Sequence, residues 1–91
     1  MSQWGITLSR ESLKFLDKNH LSEVLVTEVI TLAIKKISGE NVNVDLKKLH
    51  PPYEGCFRVR VGRIRIIFSI NFVLFSVEVI EVNWRGSAYR R

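Results

Sequence analysis

The residues in this chain best suited to chemistry on a charged partner are arginines at regular spacing. Arg58 and Arg60 alternate with Phe57, Val59 and Val61, Arg65 sits between Ile64 and Ile66, and Arg85 precedes Tyr89 and the two terminal arginines. Lys47 and Lys48 lie just upstream, and every basic residue after Lys48 is arginine. A guanidinium is a planar fork of donors that meets two phosphate oxygens at once and keeps its proton in proteins, whereas a lysine ammonium is a compact point charge. Residues 1–46 carry five Lys/Arg against six Asp/Glu, and residues 47–91 carry nine against three, so the net charge of +5 comes entirely from the second half. That asymmetry points to a polyanion partner.

Other chemistry has little to stand on. The chain has no phosphate-binding glycine loop, no His-Glu-x-x-His and no Gly-x-Ser-x-Gly. Cys56 is the one cysteine, which rules out an internal disulfide or a Cys-x-x-Cys metal site and suits a small buried apolar residue. His20 falls in a turn between helices and is expected to face solvent, while His50 precedes the arginine-rich segment. Asp45 and Glu54 are the acids nearest that segment in sequence; each is a candidate base, with surface solvation the simpler role.

The elements that must position the arginines follow from periodicity. Phe57 to Val61 alternates strictly, Gly62-Arg63 interrupts, and Ile64 to Ile70 resumes a strand pattern. Glycine at the first central position suits a two-residue hairpin turn. This register sets Val61 opposite Ile64, Arg60 opposite Arg65, Val59 opposite Ile66, Arg58 opposite Ile67 and Phe57 opposite Phe68. Phe57, Val59, Val61, Ile64, Ile66, Phe68 and Ile70 then share one face, and Arg58, Arg60 and Arg65 share the other. Directly opposed like charges destabilise a strand pair, so stability alone would not select this arrangement. A turn around Phe72-Val73 leads to a further strand, with Ser69, Ser76 and Glu78 expected on the arginine face. In that register Glu81 would fall on the apolar face, so a bulge or strand end is expected near it.

Upstream, Trp4 to Ser9 reads as a short strand, and Ser9 can cap a helix carrying Leu13, Phe15 and Leu16 on one stripe. Ser22 is a second cap, for a helix in which Val24, Leu25, Val29, Leu32, Ala33, Lys36 and Ile37 recur until Ser38-Gly39. Glu40 to Lys48 reads as a polar connector, and His50 to Gly55 as a loop rich in turn-formers. The reading is an α+β fold in which an N-terminal strand and a helical hairpin pack on a mainly antiparallel sheet of three or four strands. At 91 residues the chain is sized for one domain spanning residues 1–91. Its longest charge-free stretch, Ile66 to Val77, is well short of the roughly 20 residues a membrane helix needs, so a cytoplasmic protein is expected.

The run Tyr53-Glu54-Gly55-Cys56-Phe57-Arg58-Val59-Arg60-Val61-Gly62-Arg63-Ile64-Arg65-Ile66-Ile67-Phe68, with Lys47-Lys48-Leu49 before it and Trp84-Arg85-Gly86-Ser87-Ala88-Tyr89 after it, resembles the signature of the RelE/ParE toxin superfamily. With the preceding strand and helix pair, the resemblance covers nearly the whole chain. It implies the toxin of a type II toxin–antitoxin system. For the RelE branch it implies a ribosome-dependent endoribonuclease, working without metal or other cofactor, that cleaves mRNA in the ribosomal A site. There the 2′-hydroxyl attacks the adjacent phosphate and leaves a 2′,3′-cyclic phosphate and a 5′-hydroxyl. Carried over by position, Arg58 and Arg60 take the family's basic pair and bind RNA with Lys47 and Lys48, while Arg65, Arg85 and Tyr89 form the catalytic set. The family's pair often contains lysine, and Arg58 and Arg60 cannot serve as bases. A cognate antitoxin is the implied protein partner. The ParE branch, with the same fold and DNA gyrase as target, is the alternative, as is a binding module without catalysis.

Overall fold

A computed structural model of the chain describes residues 4–84. The order of elements is β1 (Gly5–Leu8), α1 (Arg10–Lys18), α2 (Glu23–Ile37), β2 (Asp45–Lys48), β3 (Cys56–Val61), β4 (Ile64–Asn71) and β5 (Ser76–Trp84). The strands form one five-stranded sheet in the order β1-β5-β4-β3-β2, antiparallel except where β1 runs parallel to β5. The α+β class and the N-terminal strand and helical hairpin on a mainly antiparallel sheet are as expected, with one strand that the periodicity did not announce. The added strand is β2, inside the segment read as a polar connector. Its side chains are exposed or half-buried, so it shows no apolar alternation and is held by backbone pairing to β3.

Both helices begin where the serines predicted. Ser9 accepts a hydrogen bond from the Ser12 amide, and Ser22 accepts one from the Val24 amide, each satisfying a donor that the first turn leaves unpaired. The helices cover one face of the sheet. Leu16, Val26, Val29, Ile30, Ala33 and Ile34 pack there with Val59, Ile64, Ile66, Phe68, Val77, Val79 and Val82. The stripe of α2 is rotated from the expected one: Val26, Ile30 and Ile34 are buried, while Val24 and Leu32 are exposed. A helix with apolar residues on most of its circumference does not reveal from sequence which face turns inward. On α1, likewise, Leu16 is buried and Leu13 is exposed.

The β3–β4 hairpin has the predicted register throughout, from Val61 opposite Ile64 to Phe57 opposite Phe68. Gly62 opens its turn at φ 60°, a conformation open to glycine and strained for most other residues. In the β4–β5 pair, Ile67 faces Glu81 but Phe68 faces Val79, so Ile80 is an extra residue in β5. This is the irregularity expected near Glu81, and it shifts the alternation of everything after it.

Candidate phosphate-binding face

Strand pairing places the polar residues of the sheet face opposite the helices in a grid. One row across the strands is Asp45, Arg60, Arg65 and Asn83, and the next is Lys47, Arg58, Ile67 and Glu81. A third row holds Cys56, Ser69, Glu78 and Thr7. Rows on one face are roughly 7 Å apart and neighbouring strands roughly 5 Å apart. Three guanidiniums thus share a patch whose dimensions match a phosphodiester and its neighbours.

Burial sharpens the grouping. Arg58 is 5% exposed and Arg65 is 6% exposed, both far below what an unconstrained arginine side chain shows, while the Arg60 side chain retains 29%. Asp45 lies 3.2 Å from Arg58 Nη1 through Oδ1 and 3.2 Å from Arg60 Nε through Oδ2. These are ion pairs without aligned hydrogen bonds, since the same two arginine nitrogens, although buried, meet no acceptor in hydrogen-bonding geometry. Asp45 therefore orients the two guanidiniums and leaves donors that a phosphate could take up. Ile67, 1% exposed, sits in the row between Arg58 and Glu81 and gives the patch an apolar floor. Low local polarity strengthens every charge interaction above it.

The candidates named from sequence separate cleanly by position. Arg58, Arg60, Arg65 and Lys47 share the face. Lys48 pairs with Phe57 and so lies on the opposite side of β2. Arg85 and Tyr89 lie outside the described residues. His20 and His50 are both exposed. Asp45, expected as a solvated surface acid, is exposed and also bridges two arginines; the missing signal for the bridge was β2 itself, because only its pairing brings Asp45 opposite Arg60. Cys56 is buried as expected, and burial, with Glu78 nearby as a second cause, pushes its thiol pKa up. Among the described residues no three His, Cys, Asp or Glu side chains converge on one point.

No family model matches the sequence, and no curated protein matches it. Solved structures do. The fold resembles a chain of the toxin–antitoxin complex RelBE2 from Mycobacterium tuberculosis at a TM-score of 0.61 and 23% identity, covering 92% of this chain and 100% of that one. The chain has the RelE/ParE-type toxin fold. It is similar also to the archaeal RelE–RelB complex from Pyrococcus horikoshii OT3, with TM-score 0.65, 20% identity and coverage of 96% and 100%. YafQ from E. coli gives TM-score 0.66 at 13% identity, covering 96% of this chain and 99% of that one. At such identities the likeness is one of fold, and what this chain does rests on its own side chains.

Proposed function

We propose that this protein is the toxin of a type II toxin–antitoxin pair and acts as a ribosome-dependent endoribonuclease on mRNA in the A site. The observation that carries this reading is the clustering of Arg58, Arg60 and Arg65 on one face of a toxin-type fold, with Arg58 and Arg65 buried and Arg60 half-buried. Attack of a 2′-hydroxyl on the neighbouring phosphate builds negative charge on the phosphoryl oxygens. Guanidiniums already oriented toward that position bind the transition state better than the ground state. Arg58, Arg60 and Lys47 would bind the RNA backbone, with Arg65 on the reacting phosphate. Arg85 and Tyr89 would complete the catalytic set, the phenol contributing a proton-transferring hydroxyl or a ring on which a base stacks. Lys48 would act as a backbone contact beyond the face.

One of the similar structures is a toxin–antitoxin complex and another is a RelE–RelB complex, which supports a cognate antitoxin for this chain as well. An antitoxin segment rich in acidic and apolar residues would fold onto the protein and neutralise the arginine face. Among the described residues no helix is long and apolar enough to cross a membrane. A ribosomal target would place the protein in the cytoplasm.

Primer extension on a translated transcript during expression tests the reading. Cuts within codons are expected. Intact messages accompanied by gyrase-linked DNA damage would instead assign the chain to the ParE activity, and neither effect would leave a binding module.

A further inference from the structure

The β5 bulge is a built feature. Ser9, the N-cap of α1, donates from Oγ to the Ile80 carbonyl at 2.8 Å and from its backbone N–H to the Val79 carbonyl at 2.9 Å. The carbonyls around the extra residue are thereby satisfied by the helix start, so the irregularity is locked from outside the ladder. Its consequence is a change of side. Without the extra residue, alternation from Val79 would turn Glu81 toward the helices and Val82 away from them. With it, Val82 is buried at 3% exposure in the core, and Glu81 and Asn83 stand on the arginine face. Re-aiming one side chain beside a functional site is a recurrent use of β-bulges.

We infer that Glu81 is the general base of the proposed cleavage, an assignment that rests on the endoribonuclease reading. The groups on this face differ in their ability to accept a proton. Arg58, Arg60 and Arg65 keep theirs, and Lys47 adds a further ammonium. Both carboxylate oxygens of Asp45 are engaged by arginines. Glu78 stands one row away beside Ser69 and Cys56, in a row without a cation. Glu81 shares its row with Arg58 and is the diagonal neighbour of Arg65, roughly 7–8 Å away across the ladder, about the spacing a carboxylate needs to reach a hydroxyl on a nucleotide whose phosphate the arginines hold. Asn83 Nδ2 donates to Glu81 Oε2 and fixes that oxygen, leaving Oε1 to act. The carboxylate also borders a shallow groove of about 450 Å³ at the open edge of β5, lined with Glu11 and Phe15 of α1, through which protons can exchange with water.

In the step assigned here, Glu81 Oε1 takes the proton of the 2′-hydroxyl as O2′ bonds to phosphorus. The P–O5′ bond breaks, and the departing 5′-oxygen takes a proton from water. The products are the 2′,3′-cyclic phosphate and the 5′-hydroxyl. Glu81 then returns its proton to solvent, so no oxidant, metal or net water is consumed.

Glu81→Gln tests this, because the amide oxygen still accepts from Asn83 and the charge and basicity alone are lost. On programmed ribosomes, single-turnover cleavage should fall roughly 100-fold or more while RNA affinity stays unchanged, and Glu81→Asp should recover part of the rate. Matching melting temperatures for the three proteins establish that the fold is common to them. Cleavage by Glu81→Gln within about threefold of wild type, or a loss of RNA affinity equal to the loss of rate, would overturn the assignment. Wild-type protein that leaves every transcript uncut would sink the endoribonuclease reading itself, and the base with it.

Discussion

On the helix-covered face of the sheet, Val59, Ile66, Phe68 and Val79 are fully buried against α1 and α2, and alternate residues of the same strands turn Arg58, Arg60 and Arg65 to the other side. The first face follows from the hydrophobic effect, since each apolar side chain removed from water contributes about 1.5–3 kcal/mol. The second runs against it. Arg60 and Arg65 are directly opposed, and Arg58 and Arg65 are withdrawn from water where a desolvated charge is unfavourable. Period-two alternation lets one strand serve both demands, because a substitution on one side leaves the other side's contacts in place. The two faces should accordingly respond to mutation in opposite ways.

The largest effect is expected from the helix side. Phe68 is fully buried and stacks on Phe57 at a ring separation of 5.8 Å. Phe68→Ala should cost about 3–5 kcal/mol, a large part of the stability of a domain this size, and urea denaturation will read it. A loss below about 1 kcal/mol would mean that the core lies elsewhere.

The contrasting substitution is Arg65→Met, with Arg58→Met as its companion. Each removes a buried charge and keeps the apolar stem, so stability should be unchanged or higher, within about 1 kcal/mol, while cleavage is lost. A fall in melting temperature comparable to that of Phe68→Ala would make the arginines structural and erase the distinction between the faces.

A smaller effect is expected at Asp45, whose carboxylate pairs two arginines at an exposed edge, with 54% of its side chain accessible. Asp45→Asn should lower stability by less than about 1 kcal/mol, in keeping with a solvent-screened pair. It should also raise RNA affinity, since two guanidiniums lose their competing anion. Weaker RNA binding by this variant would show that orientation of the arginines outweighs their release.

Cys56 gives the smallest effect. Its folded-state pKa is raised, so the folded protein holds the thiol proton at a pH where the unfolded chain has released it. The stabilisation is complete below the ordinary thiol pKa and is lost as pH rises through the folded value. Cys56→Ala should therefore flatten the alkaline loss of stability in pH-dependent melts, and an identical slope with and without the thiol would remove this contribution.

Much of this arrangement was legible in the sequence, and the parts that were not share a cause. The β3–β4 hairpin was readable residue by residue because alternation, the glycine turn and one-sided burial all specify the same register. The bulge near Glu81 was foreseen because a charged residue fell on the wrong parity. Its position at Ile80 depends on Ser9, which is distant in sequence. Strand β2 was missed because an exposed edge strand carries no hydrophobic period, and Asp45's ion pairs were hidden with it. The orientation of α2 was misjudged because apolar residues occupy more than half of its circumference and Val24 and Leu32 fall beside the polar stripe of Thr27, Thr31 and Lys35. Lys47 and Lys48 looked equivalent until a strand placed them on opposite sides.

The central claim is that the sheet face opposite the helices is an RNA-binding surface carried by Arg58, Arg60 and Arg65. It is tested most directly by the salt dependence of binding to a short single-stranded RNA, comparing wild type with a protein carrying methionine at all three positions. If each arginine contacts one phosphate, the slope of log affinity against log salt should become shallower by about 2 in the variant, at unchanged stability, since each single-strand contact contributes about 0.7. Equal slopes for the two folded proteins would place RNA binding elsewhere and contradict the account.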